Sequence, residues 1–390
     1  VIRATRDRQG LTASSLLALA TGMTLGNVGG NLMPLLLDGF MKRFDLSATT
    51  AGMIAAVQLL MTAAVALTFS ARAAGLGRVR LSQIGLAVAA IGFTCAWIAP
   101  STEILFGANA VIGAGLGATF AAASAALSST PNSDRATTLT LLSSTIAIAA
   151  LILAIPLANR LLGDAGGFAL LAGCCALGLV LVRGLPRTTM AHRAGDGPPL
   201  SWVFVAAVAL FGMSEQGIWS YADVLGRTGA GLDASSAAAV LGVAAIAALA
   251  GVPLGVLLRR VVGTRAALAC VLALGVAAKV AVVTTGSPGV FAVACVVWQV
   301  GYLATLVLVL AAAAQFDRSG RWVAASAGAL ALGTGIGPAA VGLTLDHLGP
   351  TGLATGVVIA ISLAAIRLLQ LPLSPNGAVT ESLDSDAPSA

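Results

Sequence analysis

Charge is what this sequence has least of. Of its 390 residues only 9% are Asp, Glu, Lys or Arg, while 58% are hydrophobic, and the mean hydropathy is +0.97. Average soluble domains carry about 25% charged residues, and 21 basic plus 15 acidic side chains are too few to cover a soluble chain of this length. A soluble enzyme, a nucleic-acid module and a disordered scaffold are therefore excluded as readings of the whole chain. Histidine is nearly absent: His192 and His347 stand in loops or at run ends and make no metal cluster, and no HExxH, P-loop or nucleophile elbow occurs. The five cysteines (Cys95, Cys174, Cys175, Cys270 and Cys295) lie inside apolar runs without a CxxC pair, so they read as small apolar side chains. Neither metal nor cofactor is expected.

What the chain does have is long apolar runs. A membrane-spanning helix needs about 20 mostly apolar residues, and by that ruler twelve runs stand out: 14–37, 48–71, 81–99, 103–127, 138–161, 165–182, 201–222, 235–258, 266–285, 289–314, 323–345 and 351–372. They are too long and too uniformly apolar for the alternating segments of a β-barrel. A secretory signal ends its apolar stretch quickly at a cleavage site; here the first run continues past Leu37, so it is read as an uncleaved span. Sixteen of the 21 basic residues fall on the side of the N-terminus, which predicts both termini in the cytoplasm of a multi-pass cell-membrane protein. The basic excess is thus a topology signal, and no nucleic-acid partner is needed to explain it. The predicted organisation is a cytoplasmic N-terminus (1–13), a first six-helix bundle (14–183), a polar cytoplasmic linker (184–200), a second six-helix bundle (201–372) and a disordered cytoplasmic tail (373–390).

The two halves look related. Phe44-Asp45-Leu46-Ser47 aligns with Ala230-Gly231-Leu232-Asp233 at an offset of 186, and the same offset carries Gly77 to Gly263 and Gly163 to Gly349; Asp134-Arg135 matches Asp317-Arg318 at 183. Duplicated halves are common in membrane transporters. After the second run comes Ala74-Gly75-Leu76-Gly77-Arg78-Val79-Arg80. The fourth run contains Asn109-Ala110-Val111-Ile112-Gly113-Ala114-Gly115-Leu116-Gly117, and the eleventh Gly333-Thr334-Gly335-Ile336-Gly337-Pro338. Over about residues 11–372 the chain resembles the major facilitator superfamily. The loop after span two keeps the family's terminal Gly-Arg-x-Arg as a candidate gating element (Gly77, Arg78, Arg80), with Ala74 and Gly75 where Asp and Arg are usual. Asn109 replaces the family's span-four Arg, and of the antiporter motif in span five only Pro156 remains. The resemblance implies an all-α membrane fold of 12 transmembrane helices in two pseudo-symmetric six-helix bundles.

Polar side chains inside spans are costly and ask for a partner or a wet cavity. Thr24, Asn27, Asn31 and Asp38 share one face of the first span, with Asp38 at its outer end suited to a gate. Glu215 lies some 14 residues into the seventh span, where desolvation disfavours a charged carboxylate; it is the candidate proton-coupling residue or counter-charge for a cationic solute. Trp219 shares its face, and Trp298, Gln299 and Tyr302 in span ten, with Asn109 in span four, complete the candidate substrate-binding set. Lys279 in span nine is expected to snorkel to the outer headgroups, since the resemblance places that helix outside the cavity. Gly22/Gly26/Gly30, Gly113/Gly117 and Gly333/Gly337 predict close helix packing.

No Arg lies in the interior of a predicted cavity helix, which disfavours phosphate esters and dicarboxylates. The expected function is secondary active transport of a small organic solute (neutral, amphipathic or cationic) by alternating access, as proton-coupled efflux from a monomeric carrier in the lipid bilayer. Uptake of a small metabolite by proton symport or facilitated diffusion is the alternative within transport. A polytopic membrane enzyme or lipid-handling protein is the alternative outside it, and the short loops hold no catalytic cluster for one; a sensor would add an output domain. The chain is not expected to be an enzyme.

Overall fold

The computed structural model describes residues 12–73, 77–130, 133–186, 201–316 and 321–370. The expectations for most of the linker, the tail, His192, Ala74 and Gly75, and the Asp317-Arg318 match lie outside those residues. Helices account for nearly all of what is described: α1 (Ala13–Asn31), α2 (Met33–Phe44), α3 (Ala48–Ala73), α4 (Arg78–Ile98), α5 (Thr102–Ser128), α6 (Ser133–Leu162), α7 (Gly166–Leu181), α8 (Trp202–Thr228), α9 (Ala234–Ala247), α10 (Gly251–Thr284), α11 (Pro288–Phe316) and α12 (Arg321–Leu369), with short 3-10 turns at Val182–Gly184 and Ala248–Ala250. No strand occurs among the described residues. Each apolar run of the sequence falls on helix.

The boundaries follow local chemistry. Thr12 caps α1 by accepting from the Ser15 N–H. The first run is not one continuous helix: Leu32 leaves helical geometry (φ −96°, ψ 1°) just ahead of Pro34, which offers no N–H, and the chain restarts as α2. Two apolar segments, Ala234–Thr284 and Trp322–Leu369, are 51 and 48 residues long, about twice what a bilayer needs. Each breaks at a glycine in the left-handed region, Gly263 (φ 81°) and Gly349 (φ 65°), the second followed by Pro350. At Gly263 the chain folds back, because Gly251 packs on Val300 and Ala304 of α11 while Val271, beyond the turn, lies beside Gly301.

The repeat is written into the backbone. Among the described residues five have positive φ: Asp45, Gly163, Gly231, Gly263 and Gly349. Four of them form pairs at the 186-residue offset, Asp45 with Gly231 and Gly163 with Gly349. Gln216 Nε2 donates to the Gly30 carbonyl at 2.9 Å, a contact between residues 186 apart. A residue that touches its own counterpart lies on the twofold axis relating the halves, as in any isologous contact.

Outward faces carry the apolar residues a soluble protein would hide: Leu161 and Val261 are 74% and 72% exposed. Of the spans, α5 and α8 are the most enclosed, with 61% of their apolar windows buried, against 33–50% elsewhere. Glycines let the inner helices touch. Gly22 and Gly26 of α1 meet Ala123 and Phe120 of α5; Gly113 and Gly117 of α5 meet the Gln58 and Thr62 carbonyls of α3; Gly333 and Gly337 of α12 meet the Ala209 and Met213 carbonyls of α8. A Cβ at any of these would overlap its neighbour, so the small-residue stripes act as packing surfaces.

Candidate functional site

The end of the bundle where α1 begins is termed proximal and the opposite end distal. Midway along α8, Glu215 is buried with one donor for each carboxylate oxygen. Lys279 Nζ of α10 reaches Oε1 and Trp298 Nε1 of α11 reaches Oε2, both at 2.5 Å. The Lys279 side chain is 2% exposed and that of Glu215 8%. Lys279 therefore does not snorkel outward. Its ammonium also lies 5.7 Å from the Trp298 ring centroid and 5.9 Å from that of Phe211, where the ring quadrupoles favour a cation. Pairing is the only inexpensive arrangement for two charges at this depth, since each alone costs several kcal/mol of desolvation. Tyr302 stacks on Phe211 at 6.1 Å, and the small cavity beside the pair, bounded by Phe211, Gly275, Tyr302 and Thr305, is too narrow to admit a water molecule.

Trp219 connects this cluster to the other half. Its ring meets Trp298 edge-on at 6.0 Å, and its Nε1 donates to the Asn31 carbonyl of α1 at 3.1 Å. The predicted residues Glu215, Trp219, Trp298 and Tyr302 are thus gathered in one place. Gln299 is partly buried outside the group lining that cavity. Asn27 and Asn31 turn their amides onto their own helix, donating to the Met23 and Asn27 carbonyls. Asn109 is fully buried; its amide donates to the Leu105 carbonyl, while Oδ1 has no hydrogen-bond partner. Gln58 on α3, also fully buried, has none for either amide atom and lies against Gly29. The structure therefore does not bring Asn27, Asn31 or Asn109 side chains to Glu215.

The predicted gating loop is built otherwise than a free hinge. Gly77 precedes α4, and the buried Arg78 donates from Nη1 to Ser129 Oγ at the C-terminus of α5, where a cation suits the helix dipole. Arg80 is exposed.

Contacts between the halves gather from mid-bundle to the distal end. Arg227 of α8 pairs with Asp38 of α2 at 2.7 Å, and Asp38 also holds Lys42 at 2.7 Å. The Tyr221 hydroxyl donates to the Ala48 carbonyl at 2.6 Å. Asp346 of α12 accepts the N–H groups of Ala48 (3.2 Å) and Thr49 (2.7 Å), so the first turn of α3 is capped by the opposite half. Backbone packs on backbone there as well: a side chain at Gly52 would strike the Pro338 carbonyl, and one at Gly342 that of Ala48. Along α3 the effect is visible as burial. Ala51, Ile54, Ala55 and Gln58 are fully buried, whereas Met61 and Leu67, nearer the proximal end, are 36% and 56% exposed. Among the described residues, the contacts between the halves close the bundle at its distal end.

The Major Facilitator Superfamily model matches residues 14–318. The chain belongs to the Major Facilitator Superfamily. Solved structures agree on the fold. The nucleoside transporter NupG superposes with a TM-score of 0.75 at 10% identity, covering 92% of this chain and 100% of that one. A bacterial homologue of the human lysosomal transporter Spinster, in an inward-facing and unoccupied conformation, gives 0.68 at 16% identity over 91% and 95% of the two chains. The peptide transporter POT (a mutant form) gives 0.71 at 13% identity over 91% and 93%. No curated protein matches the chain. At these identities the likeness shows the fold of a Major Facilitator Superfamily transporter, and the site residues rest on their own geometry.

Proposed function

We propose that this protein is a proton-coupled secondary carrier that exports a small neutral, amphipathic or cationic organic solute by alternating access. Membrane transport follows from the family; the direction, the coupling ion and the solute class are the proposal. The observation that supports it most is the distal closure of the bundle. A seam closed at the distal end by few polar contacts and by glycine-bared backbone is what one of the two states of a rocking carrier requires. With basic residues concentrated on the proximal side, that side is the cytoplasm of a cell-membrane protein and the state faces inward.

The chemistry of the pocket sets the solute class. Trp219, Trp298 and Tyr302 supply aromatic groups that the proposed rocking would expose, with Asn27, Asn31, Asn109 and Gln299 as further polar candidates. No arginine fork is available at that depth for a phosphate or dicarboxylate. In this reading Glu215 acts as half of a neutral pair. A proton added while Lys279 is bound leaves a net positive charge in a dry site, so Glu215 takes a proton or a cationic solute only when the pair separates. The carrier works as a monomer, without metal or cofactor, and performs no covalent chemistry.

Reconstituted vesicles with an imposed pH gradient test this. A panel of neutral, cationic and anionic solutes is offered, and counter-movement of protons is followed with a pH dye. Gradient-driven accumulation of a cationic or neutral solute opposite in direction to the protons is expected. Co-directional movement would make the protein a proton-linked importer, and uphill movement of anions alone would overturn the solute class.

A further inference from the structure

The distal seam holds two carboxylates but leaves one of them poorly served. Asp38 receives Arg227 and Lys42 on the same oxygen, each at 2.7 Å. Asp223, one turn before Arg227 on α8, is only 1% exposed. Its Oδ1 has no hydrogen-bond partner, and its Oδ2 is 3.8 Å from the Arg227 Nη1 that is already committed to Asp38. The charges facing Asp223 are Asp38 and Lys42 from α2 and Arg227 from its own helix; among the described residues no other element brings one to it. Asp346 of α12 is occupied on the first turn of α3. A carboxylate out of water with a free oxygen and a cation shared with a second acid lacks the partners that would fully compensate its charge.

We propose that Asp223 is a proton-binding site whose occupancy depends on which acid holds Arg227. With the halves closed distally, Arg227 bridges to Asp38 and Asp223 keeps its proton. When the halves part, Asp38 withdraws, Arg227 turns by a small rotation onto Asp223 at the i,i+4 position, and the proton leaves from Asp223 to water. No covalent bond other than this O–H changes, and the cation is exchanged between an acid of the opposite half and one a single turn back on its own helix. The reverse order follows by linkage: a proton on Asp223 returns Arg227 to Asp38 and draws the seam shut, so acid favours the closed state and alkali the open one. The proton enters and leaves from the distal side alone, so this site is a pH-dependent gate, separate from the proton that a coupled carrier would move across the membrane, and its test does not require a solute.

The experiment measures the distance across the distal seam as a function of pH. Spin labels are placed at the exposed Glu103 and Leu348, one on each half, in a full-length background without native cysteines and held in nanodiscs. The native seam is expected to shift from short to long distances as pH rises. Asp223→Asn, a neutral isostere, should stay short at every pH, and Asp223→Glu should keep the response with a displaced midpoint. Asp38→Asn, which frees Arg227, should lengthen the distance even in acid. A pH response unchanged in Asp223→Asn would overturn the assignment, as would a native seam indifferent to pH. Should vesicles show no proton-driven transport while the seam loses its pH response in Asp223→Asn, the site stands and the coupled-export reading fails.

Discussion

Laid over each other at the 186-residue offset, the two halves share a scaffold and differ in what they bury. Glu215 falls on Gly29, and Lys279 falls on Phe93. Where the second half holds an ion pair ringed by Phe211 and Trp298, the first packs the fully buried Phe93 against Phe168, itself stacked on Phe40 at 5.5 Å. In place of Glu215's carboxylate, the glycine lets the Gln58 amide lie against the backbone. The contrast extends to the helix that follows each first span. Asp233 caps α9 from its own chain, and its hydrogen bonds to Ser235 and Ser236 hold its carboxyl below the usual carboxylate range. Ser47 occupies the equivalent place before α3 and accepts the Thr50 N–H at 3.2 Å, while the carboxylate for Ala48 and Thr49 comes across the seam from Asp346. The lesson is that glycine packing sets the common architecture while charge is asymmetric. One half carries a closed electrostatic core, and the other has a local Ser47 cap supplemented by a carboxylate of its partner.

The largest effect that would break this comparison comes from unpairing the core of the second half. Lys279→Met or Glu215→Gln alone should cost about 3–5 kcal/mol, because each strands an uncompensated charge or a buried acceptor. Glu215→Leu with Lys279→Met should recover most of that, and thermal unfolding of the purified protein reads both. A silent Lys279→Met would show that the pair contributes nothing. Next come the glycines, which should not distinguish the halves. Gly113→Val and Gly333→Val each push a side chain into a facing carbonyl and should each destabilise by about 1–3 kcal/mol or more; a strong bias to one half would contradict the shared architecture. Asp346→Ala removes the cap that α3 borrows. It should cost about 1 kcal/mol and increase labelling of a cysteine introduced at Ser47, whereas Asp233→Ala should leave that labelling unchanged. Smallest is Trp219→Phe, which keeps the contact with Trp298 but loses the bond to Asn31. About 0.5–1.5 kcal/mol is expected, seen as a modest shift of the seam towards opening by the spin-label distance.

Much of the fold was legible because its causes are local. Run lengths follow from bilayer thickness, and Asp45, Gly163, Gly231 and Gly349 mark left-handed turns that recur at the repeat. Of the candidate site, Glu215, Trp219, Trp298 and Tyr302 were visible as polar and aromatic side chains at depth. Lys279 was misplaced, since a long stem near the end of an outer helix satisfies snorkelling equally well by sequence. A signal was available, however. Glu215 and Lys279 each lie some 14 residues into spans of the same direction, hence at the same depth, and opposite charges at one depth with no other partner pair with each other. The amides of Asn27 and Asn31 bond their own helix, because a helix offers its own i−4 carbonyl to an Asn without a better partner. The roles of Asp223, Arg227 and Asp346 arise only where the two halves meet, which no local pattern in the sequence marks.

By itself the sequence determined that the chain lives in lipid, how its helices are spaced and that it is a duplicated structure, since hydropathy, turn glycines and repeat offset act over a few residues or along one chain. Only the tertiary structure decided who pairs with whom. Lys279 with Glu215, Arg227 with Asp38 and Asp346 with the start of α3 are choices among charges tens to hundreds of residues apart, and the low dielectric that makes each choice compulsory exists only once the helices have packed.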